Sequence, residues 1–218
     1  MNSNNINVDD PIKIILDNEY GHQRSKEEGS AIDCYGKPIP WMTYPAISYI
    51  RELDLKSKSV FEWGGGNSSL FFSKLVKTIT TIELKQEWYD YVVSNKLNNM
   101  IVKHANDVNY AEIINDSEEK YDVIIIDGEI DRRFECAQTA IDHLASNGMI
   151  ILDNSDWLTN TCKFLRDSNL IQVDMAGFGP INDYTWCTSF FLTRDFNFLS
   201  CDDKRPAYTL GGIKNVRD

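Results

Sequence analysis

Three consecutive glycines, Gly64 to Gly66, separate a short apolar run from a segment whose apolar residues have helical spacing. Glycine lets the backbone approach a ligand closely, and the first turn of a helix offers N–H groups to a carboxylate or a phosphate. A dinucleotide-binding loop needs the spacing Gly-x-Gly-x-x-Gly, but position 69 is Ser69. An acid, Glu62, precedes the first glycine by two residues. The turn is predicted to bind a ligand of a different kind, with an unliganded tight turn as the alternative.

A second acid, Glu83, closes the next apolar run. An acid about 20 residues beyond a glycine turn is where α/β nucleotide sites accept a hydrogen bond from a ribose hydroxyl. Taken alone, Glu83 would more often be a solvated charge at a strand end. Together with the glycine turn, it is predicted to bind a ribose.

Acids also end the two later apolar runs, with Asp127 after the first and the pair Asp153 and Asn154 after the second. Parallel strands end on the same rim of a sheet, so the three side chains are expected at the mouth of one cleft. Oxygen ligands in this number suit Mg²⁺ or Ca²⁺. In the alternative, Asp127 orients a ligand and the pair caps the following helix.

The segments that carry these residues alternate between short β-rich runs and runs of helical periodicity. This pattern predicts an α/β fold with a doubly wound, mainly parallel seven-stranded sheet and helices on both faces. The seven strands are predicted at residues 59–63, 79–84, 100–104, 121–126, 149–152, 170–175 and 188–193. Residues 1–34 are polar and are predicted to form an N-terminal arm or lid, with one short helix at 12–16, and residues 35–218 form the domain.

The order Glu62-x-Gly64-x-Gly66-x-Ser68 resembles the first motif of the class I S-adenosylmethionine-dependent methyltransferases, with Ser68 in place of the third glycine. The resemblance covers roughly residues 60–193 and implies a Rossmann-like methyltransferase domain. It also implies a cofactor site, with Asp107 near the adenine. The residues that it assigns to S-adenosylmethionine are Glu62, Gly64, Gly66, Asn67, Ser68, Glu83, Asp107 and Asp127.

The acids at the strand ends resemble the metal triad of catechol-type and some sugar O-methyltransferases. This resemblance implies a divalent cation, Mg²⁺ or another, on Asp127, Asp153 and Asn154. The catechol-type enzymes have a lysine base three residues after the first metal acid, where this sequence has Ile130. That part of the pattern is missing.

The chemistry implied is the transfer of a methyl group from a sulfonium to an oxygen nucleophile. A divalent ion would lower the pKa of the hydroxyl that it binds. Without the ion, Asp127, Asp153 or His104 would act as the general base. Arg132 and Arg133 are predicted to form ordinary surface pairs at a helix start.

Several aromatic residues fall near the expected cleft, where they form either core and lid packing or a wall for a sulfonium or a sugar ring. They are Trp41, Tyr44, Trp63, Trp157, Phe178, Tyr184 and Trp186.

The composition limits which substrates, cysteine-based sites and cellular location are expected. The net charge of −11 makes nucleic acid an unlikely substrate, because polyanion binding relies on basic patches. No apolar run approaches the roughly 20 residues of a membrane span, and the polar N-terminus lacks the pattern of a secretory signal. Five cysteines without a Cys-x-x-Cys pair disfavour a disulfide framework and a zinc site. These features predict a cytoplasmic protein, and homo-oligomers remain open.

The sequence therefore predicts an O-methyltransferase for a hydroxyl of a small polyhydroxy substrate, a sugar or glycan residue. Two alternatives stay open. One is a methyltransferase for a protein or nucleic acid, and the other is a module that binds the cofactor without catalysis.

Overall fold

The computed structural model describes residues 11–202, with the side chains of residues 13–202. Residues 1–10 of the predicted arm and residues 203–218 of the predicted domain lie outside that range. One seven-stranded sheet organises the described chain, with the strand order β3-β2-β1-β4-β5-β7-β6. Its strands are β1 (Ser59–Trp63), β2 (Thr78–Glu83), β3 (Met100–His104), β4 (Tyr121–Ile126), β5 (Leu144–Leu152), β6 (Ile171–Gly177) and β7 (Trp186–Leu192).

The first five strands pair in parallel, and β7 runs antiparallel between β5 and β6. Seven α-helices accompany the sheet in the described range. They are α1 (Pro11–Ile15), α2 (His22–Glu28), α3 (Tyr44–Glu52), α4 (Asn67–Phe72), α5 (Gln86–Asn95), α6 (Arg133–His143) and α7 (Thr159–Asp167). One turn of π-helix (Leu16–Tyr20) and three short 3₁₀ turns (Glu112–Asp116, Ile130–Arg132 and Ser155–Trp157) complete the helical segments.

The sheet is buried on both faces, as strand β4 illustrates. Val123 and Ile125 pack in a cluster with residues of α3 and α4, whereas Ile124 and Ile126 pack in a second cluster with residues of α6 and α7. Successive side chains of a strand point to opposite faces, so a run that is apolar throughout requires cover on both. The fold confirms the predicted doubly wound, mainly parallel seven-stranded sheet.

The differences from the predicted elements lie at their ends and in the N-terminal segment. β1, β3 and β4 have the predicted bounds, but β5 begins five residues early, at Leu144. Within the predicted arm, α2 forms a helix that the polar composition conceals. Its His22 and Ser25 are buried against the domain. This part of the arm is packed structure.

All five cysteines are free thiols, and two of them, Cys136 and Cys162, are buried. No helix within residues 11–202 is long and apolar enough to span a membrane.

Candidate functional site

The turn between β1 and α4 is organised by the buried carboxylate of Glu62. Its Oε2 atom accepts hydrogen bonds from the hydroxyls of Ser69 (2.5 Å) and Thr81 (2.8 Å). Ser69 Oγ in turn accepts the N–H of Gly66 at 3.1 Å. Burial raises the pKa of Glu62 to about 7. Glu62 was predicted to bind the cofactor, but the structure places it beneath the turn, where it holds the turn in shape.

Gly64 and Gly66 have different structural roles in this turn. Gly64 has φ +94°, and a Cβ there would lie 2.6 Å from the backbone nitrogen of Gly128. It permits the turns after β1 and β4 to pack against each other. Gly66 has an extended φ of 166°, and its Cβ would meet only the ring of Trp88, at 3.6 Å.

Glu83, at the end of β2, is tied to the same turn. Its Oε2 accepts the N–H of Gly65 at 2.7 Å, and its Oε1 accepts the N–H groups of Leu84 and Lys85 at 2.8 and 2.7 Å. Burial raises the pKa of Glu83, and these backbone donors oppose the rise. The carboxylate is thus buried, hydrogen-bonded and fixed in direction.

A cavity of about 320 Å³ lies beyond the carboxyl ends of β1, β2, β4 and β5. It occupies the place where open α/β sheets bind ligands. The predicted cofactor residues on its wall are Gly64, Gly66, Asn67, Ser68, Glu83 and Asp127. Asp153 and Asn154 line it as well, as does Trp88, which the sequence did not single out.

The N-terminal segment closes one side of the cavity, since residues 29–31 line it. Lys26 Nζ on α2 forms an ion pair with the carboxylate of Asp183, at 2.5 Å from Oδ1. Asp183 belongs to the connection between β6 and β7. The predicted lid therefore touches the opposite wall, which supplies Ile181 and Tyr184 to the cavity.

Asp127 and Asp153 end β4 and β5 side by side. The Asp127 side chain is 16% exposed, and burial, reinforced by the charge of Asp153, raises its pKa well above the ordinary range. Asp153 is only 2% exposed, and burial raises its pKa to about 6. Its carboxylate accepts hydrogen bonds from Trp186 Nε1 (3.0 Å) and the hydroxyl of Thr188 (2.5 Å).

Arg133, the first residue of α6, lies between the ends of β4 and β5 and is 6% exposed. Its Nη2 donates to Asp127 Oδ1 at 3.1 Å, and its Nη1 donates to Asn154 Oδ1 at 3.1 Å. The prediction of an ordinary surface pair is therefore corrected for Arg133, because its guanidinium is buried at the site.

The three predicted metal ligands do not fit a divalent cation as they stand. Asp127 and Asn154 each present an oxygen to Arg133, and the carboxylate of Asp153 receives Trp186 and Thr188. Among the described side chains, no three histidine, cysteine or carboxylate groups converge in a way that could hold a metal ion.

Two residues predicted for the site lie away from the cavity. His104 ends β3, the outermost strand, where its Nε2 is 3.0 Å from the carbonyl oxygen of Leu84 and its ring packs against Tyr89. Asp107 is exposed in the loop that follows β3. Neither residue lines the cavity. The catalytic role of His104 and the adenine contact of Asp107 stay predictions.

Six of the seven aromatic residues predicted near the cleft divide into two groups, and the seventh, Phe178, is partly buried against the core. Trp63, Tyr44 and Trp186 are buried, whereas Trp157 is 58% exposed and lies at the cavity mouth together with Trp41 and Tyr184. Ile181, on the same wall as Tyr184, has φ +71°. The cavity is thus lined by several partly exposed aromatic rings.

The sequence matches no protein-family model, and the search of curated proteins finds no similar sequence. Solved structures of similar shape are found. The precorrin-6y C5,15-methyltransferase of Geobacter metallireducens matches with a TM-score of 0.61 and 17% identity, over 77% of this chain and 96% of that one. A candidate O-methyltransferase from Klebsiella pneumoniae matches with a TM-score of 0.56 and 14% identity, over 86% and 91%.

A candidate caffeoyl-CoA O-methyltransferase from Staphylococcus aureus matches with a TM-score of 0.52 and 17% identity, over 62% of this chain and 76% of that one. At these identities the likeness concerns the fold. With the glycine turn and Glu83 on one cavity wall, the chain has the Rossmann-like fold of the class I S-adenosylmethionine-dependent methyltransferases.

Proposed function

We propose that the chain is an S-adenosylmethionine-dependent O-methyltransferase that acts on a hydroxyl of a small polyhydroxy substrate, a sugar or glycan residue. The observation that carries the proposal is the shared cavity. Its wall joins the glycine turn and Glu83 to the carboxylates of Asp127 and Asp153. The glycine turn and Glu83 thus form a cofactor half of the cavity, and Asp127 and Asp153 form an acid–base half.

The cofactor half fits a nucleoside with an amino-acid tail. A carboxylate has about four lone-pair positions, and three backbone N–H groups already occupy three of those on Glu83. The remaining position on Oε2 suits a ribose hydroxyl. The extended Gly66, which carries no side chain, leaves room beside Trp88. When bound, S-adenosylmethionine supplies an activated methyl group on a sulfonium.

The acid–base half supports removal of a proton by Asp127. Burial and the charge of Asp153 raise the pKa of Asp127, so its carboxylate is a stronger base than that of an ordinary aspartate. As the acceptor oxygen bonds to the methyl carbon, the carbon–sulfur bond breaks and its electron pair stays on sulfur. The hydroxyl proton passes to the Asp127 carboxylate. Asp153 is less suited, since Trp186 and Thr188 already donate to it.

The mouth of the cavity supports a ring-shaped acceptor. Trp41, Trp157 and Tyr184 present partly exposed rings to the cavity. Aromatic faces suit the apolar face of a sugar ring, and the net charge of −11 disfavours a polyanionic chain.

Two measurements test this function. Isothermal titration of the full chain with S-adenosylmethionine is expected to show binding at one site, and NADH is expected to show none. Transfer of a labelled methyl group to a panel of sugars and glycans then tests the acceptor. Transfer to a protein or nucleic acid with none to sugars would replace the proposed substrate class, and cofactor binding without any transfer would identify a binding module.

The role of Asp127 is tested with Asp127→Asn, which keeps an oxygen for Arg133 but removes the base. Turnover is expected to fall by about 10²–10⁴-fold, the usual contribution of general base catalysis. S-adenosylmethionine affinity should change little. His104→Ala is the matched control, since this side chain lies outside the cavity and its loss should leave turnover intact. Equal turnover of wild type and Asp127→Asn would remove Asp127 from the mechanism.

A further inference from the structure

We infer that Arg133 supplies the positive charge between Asp127, Asp153 and Asn154, so that this site works with a guanidinium and binds no divalent cation. The inference about cation binding stands on the contacts alone. Its consequence for methyl transfer rests on the proposed function. Arg133 is assigned as a positioning residue that holds Asp127 toward the cavity.

Every N–H group of the Arg133 side chain donates a hydrogen bond. An arginine has five, and its Nε donates to the Gly128 carbonyl at 2.9 Å. Its Nη1 donates to the Asp153 carbonyl at 2.7 Å and to Asn154 Oδ1 at 3.1 Å. Its Nη2 donates to the carbonyl and to Oδ1 of Asp127 at 3.0 and 3.1 Å. The guanidinium thus joins the turns after β4 and β5.

The third predicted ligand is also occupied. Trp186 Nε1 and the Thr188 hydroxyl donate to the buried carboxylate of Asp153. A metal ion on these oxygens would compete with these donors, and a donor that it displaced would be buried without a partner, which is unfavourable. It would also lie next to the guanidinium, which repels it. Each of the three predicted ligands therefore already accepts a hydrogen bond from a donor of the chain itself.

This arrangement agrees with the absence of a lysine at position 130, where Ile130 stands and is partly exposed. The nearest buried cation on this stretch is Arg133, placed by the 3₁₀ turn Ile130–Arg132 that leads into α6. An arginine keeps its charge at all relevant pH values and binds oxygen pairs in a fixed geometry. It therefore provides a permanent counter-charge to Asp127.

The first test uses Mn²⁺ as the probe and the full chain, with binding followed by the electron paramagnetic resonance of free Mn²⁺. The wild type is expected to show no site tighter than about 1 mM, the weak end of hard-cation sites in proteins. Tighter one-to-one binding that Asn154→Ala abolishes would overturn the inference. This test requires no methyl transfer, so its result is separate from the fate of the proposed function, which titration with S-adenosylmethionine decides.

The second test uses Arg133→Ala, with Arg132→Ala as the matched control from the same turn. Loss of Asp127 positioning is expected to lower turnover by about 100-fold, the scale of a misplacement near 1 Å. Guanidinium chloride, far below denaturing concentrations, is expected to restore part of the turnover of Arg133→Ala. The same addition should not change the turnover of Arg132→Ala. EDTA should leave the turnover of the wild type unaffected. Wild-type turnover that EDTA abolishes and Mg²⁺ restores would contradict the inference. If Arg133→Ala does not fold, the Mn²⁺ titration of the wild type still decides.

Discussion

The side-chain amide nitrogen of Asn67 donates a hydrogen bond to the carbonyl oxygen of Ala31, at 2.8 Å. The same amide donates to the hydroxyl of Ser30 at 3.0 Å, and its Oδ1 accepts from the hydroxyl of Tyr91 at 2.5 Å. Asn67 follows the glycine turn directly. One side chain therefore fastens the N-terminal segment over the cofactor half of the cavity.

Replacing Asn67 by alanine is expected to release residues 29–31. Amide hydrogen exchange there should rise, because the Ala31 carbonyl loses one of its two donors and the Ser30 hydroxyl loses another, which leaves the N–H of Ile39 on Ala31. The free energy of unfolding should fall by about 1–3 kcal/mol, the cost of leaving buried partners unpaired. Asn95→Ala is the control, since Asn95 bonds only within its own helix, to Tyr91. Unchanged exchange in the Asn67 variant would show that other contacts hold the segment.

The two glycine positions are expected to respond differently to alanine. Gly66→Ala should fold normally, since the new Cβ makes an ordinary contact with Trp88, but it should weaken S-adenosylmethionine binding because it fills part of the cavity. Gly64→Ala should destabilise the fold, because φ is +94° and the Cβ would clash with Gly128. Calorimetry with thermal unfolding separates these effects. Normal affinity in Gly66→Ala would place the cofactor elsewhere.

Glu83→Ala is expected to weaken S-adenosylmethionine binding by about 1–3 kcal/mol, through loss of a hydrogen bond to a charged acceptor. The variant also frees the backbone N–H of Gly65, so thermal unfolding must accompany the titration. Asp107→Ala is the matched control, because this exposed acid lies outside the cavity. A loss of affinity in the control equal to that in Glu83→Ala would support the predicted adenine contact.

The buried carboxyl of Glu62 is expected to make stability depend on pH. Its pKa is about 7 in the folded chain, above the ordinary value of 4.5, so the folded state binds the proton more tightly than the unfolded state. Its contribution is therefore fully present below about pH 4.5 and is lost as the pH rises through 7.

Glu62→Gln removes this titration while keeping an oxygen for Ser69 and Thr81. Urea unfolding at pH 5 and pH 8 should show that the wild type loses roughly 2–3 kcal/mol more than the variant over that interval. Glu62 Oε1 has no hydrogen-bond partner among the described residues, so the neutral form suits the site better than the anion. Parallel pH dependence in the two proteins would mean that Glu62 stays ionised.

The strands could be predicted because their apolar runs are short, β-rich and bounded by turns, as in β4. The antiparallel direction of β7 could not, since the apolar pattern of a strand does not show which neighbour it pairs with or in which direction. Helix α2 was not predicted from the sequence, because its buried side chains, His22 and Ser25, are polar. Burial of such groups depends on tertiary partners such as Tyr44, whose hydroxyl lies 3.2 Å from His22 Nδ1.

For the site, the positions after β1, β2, β4 and β5 could be predicted because parallel strands end on one rim. The same rule does not specify that β3 is the outer strand, so it could not show that His104 lies outside the cavity wall. The role of Arg133 could not be inferred from spacing, because a helix start with two arginines usually faces solvent. Its burial follows from the convergence of the turns after β4 and β5.

The connection between β6 and β7, residues 178–185, joins two neighbouring antiparallel strands at the edge of the sheet. Both of its ends are anchored side by side, and it supplies Ile181 and Tyr184 to the cavity, whereas the glycine turn and Glu83 belong to β1 and β2. Surface connections of this kind tolerate changes of sequence and length. Under the proposed function, descendants of this protein could acquire new acceptors by remodelling one hairpin loop while inheriting the cofactor contacts unaltered.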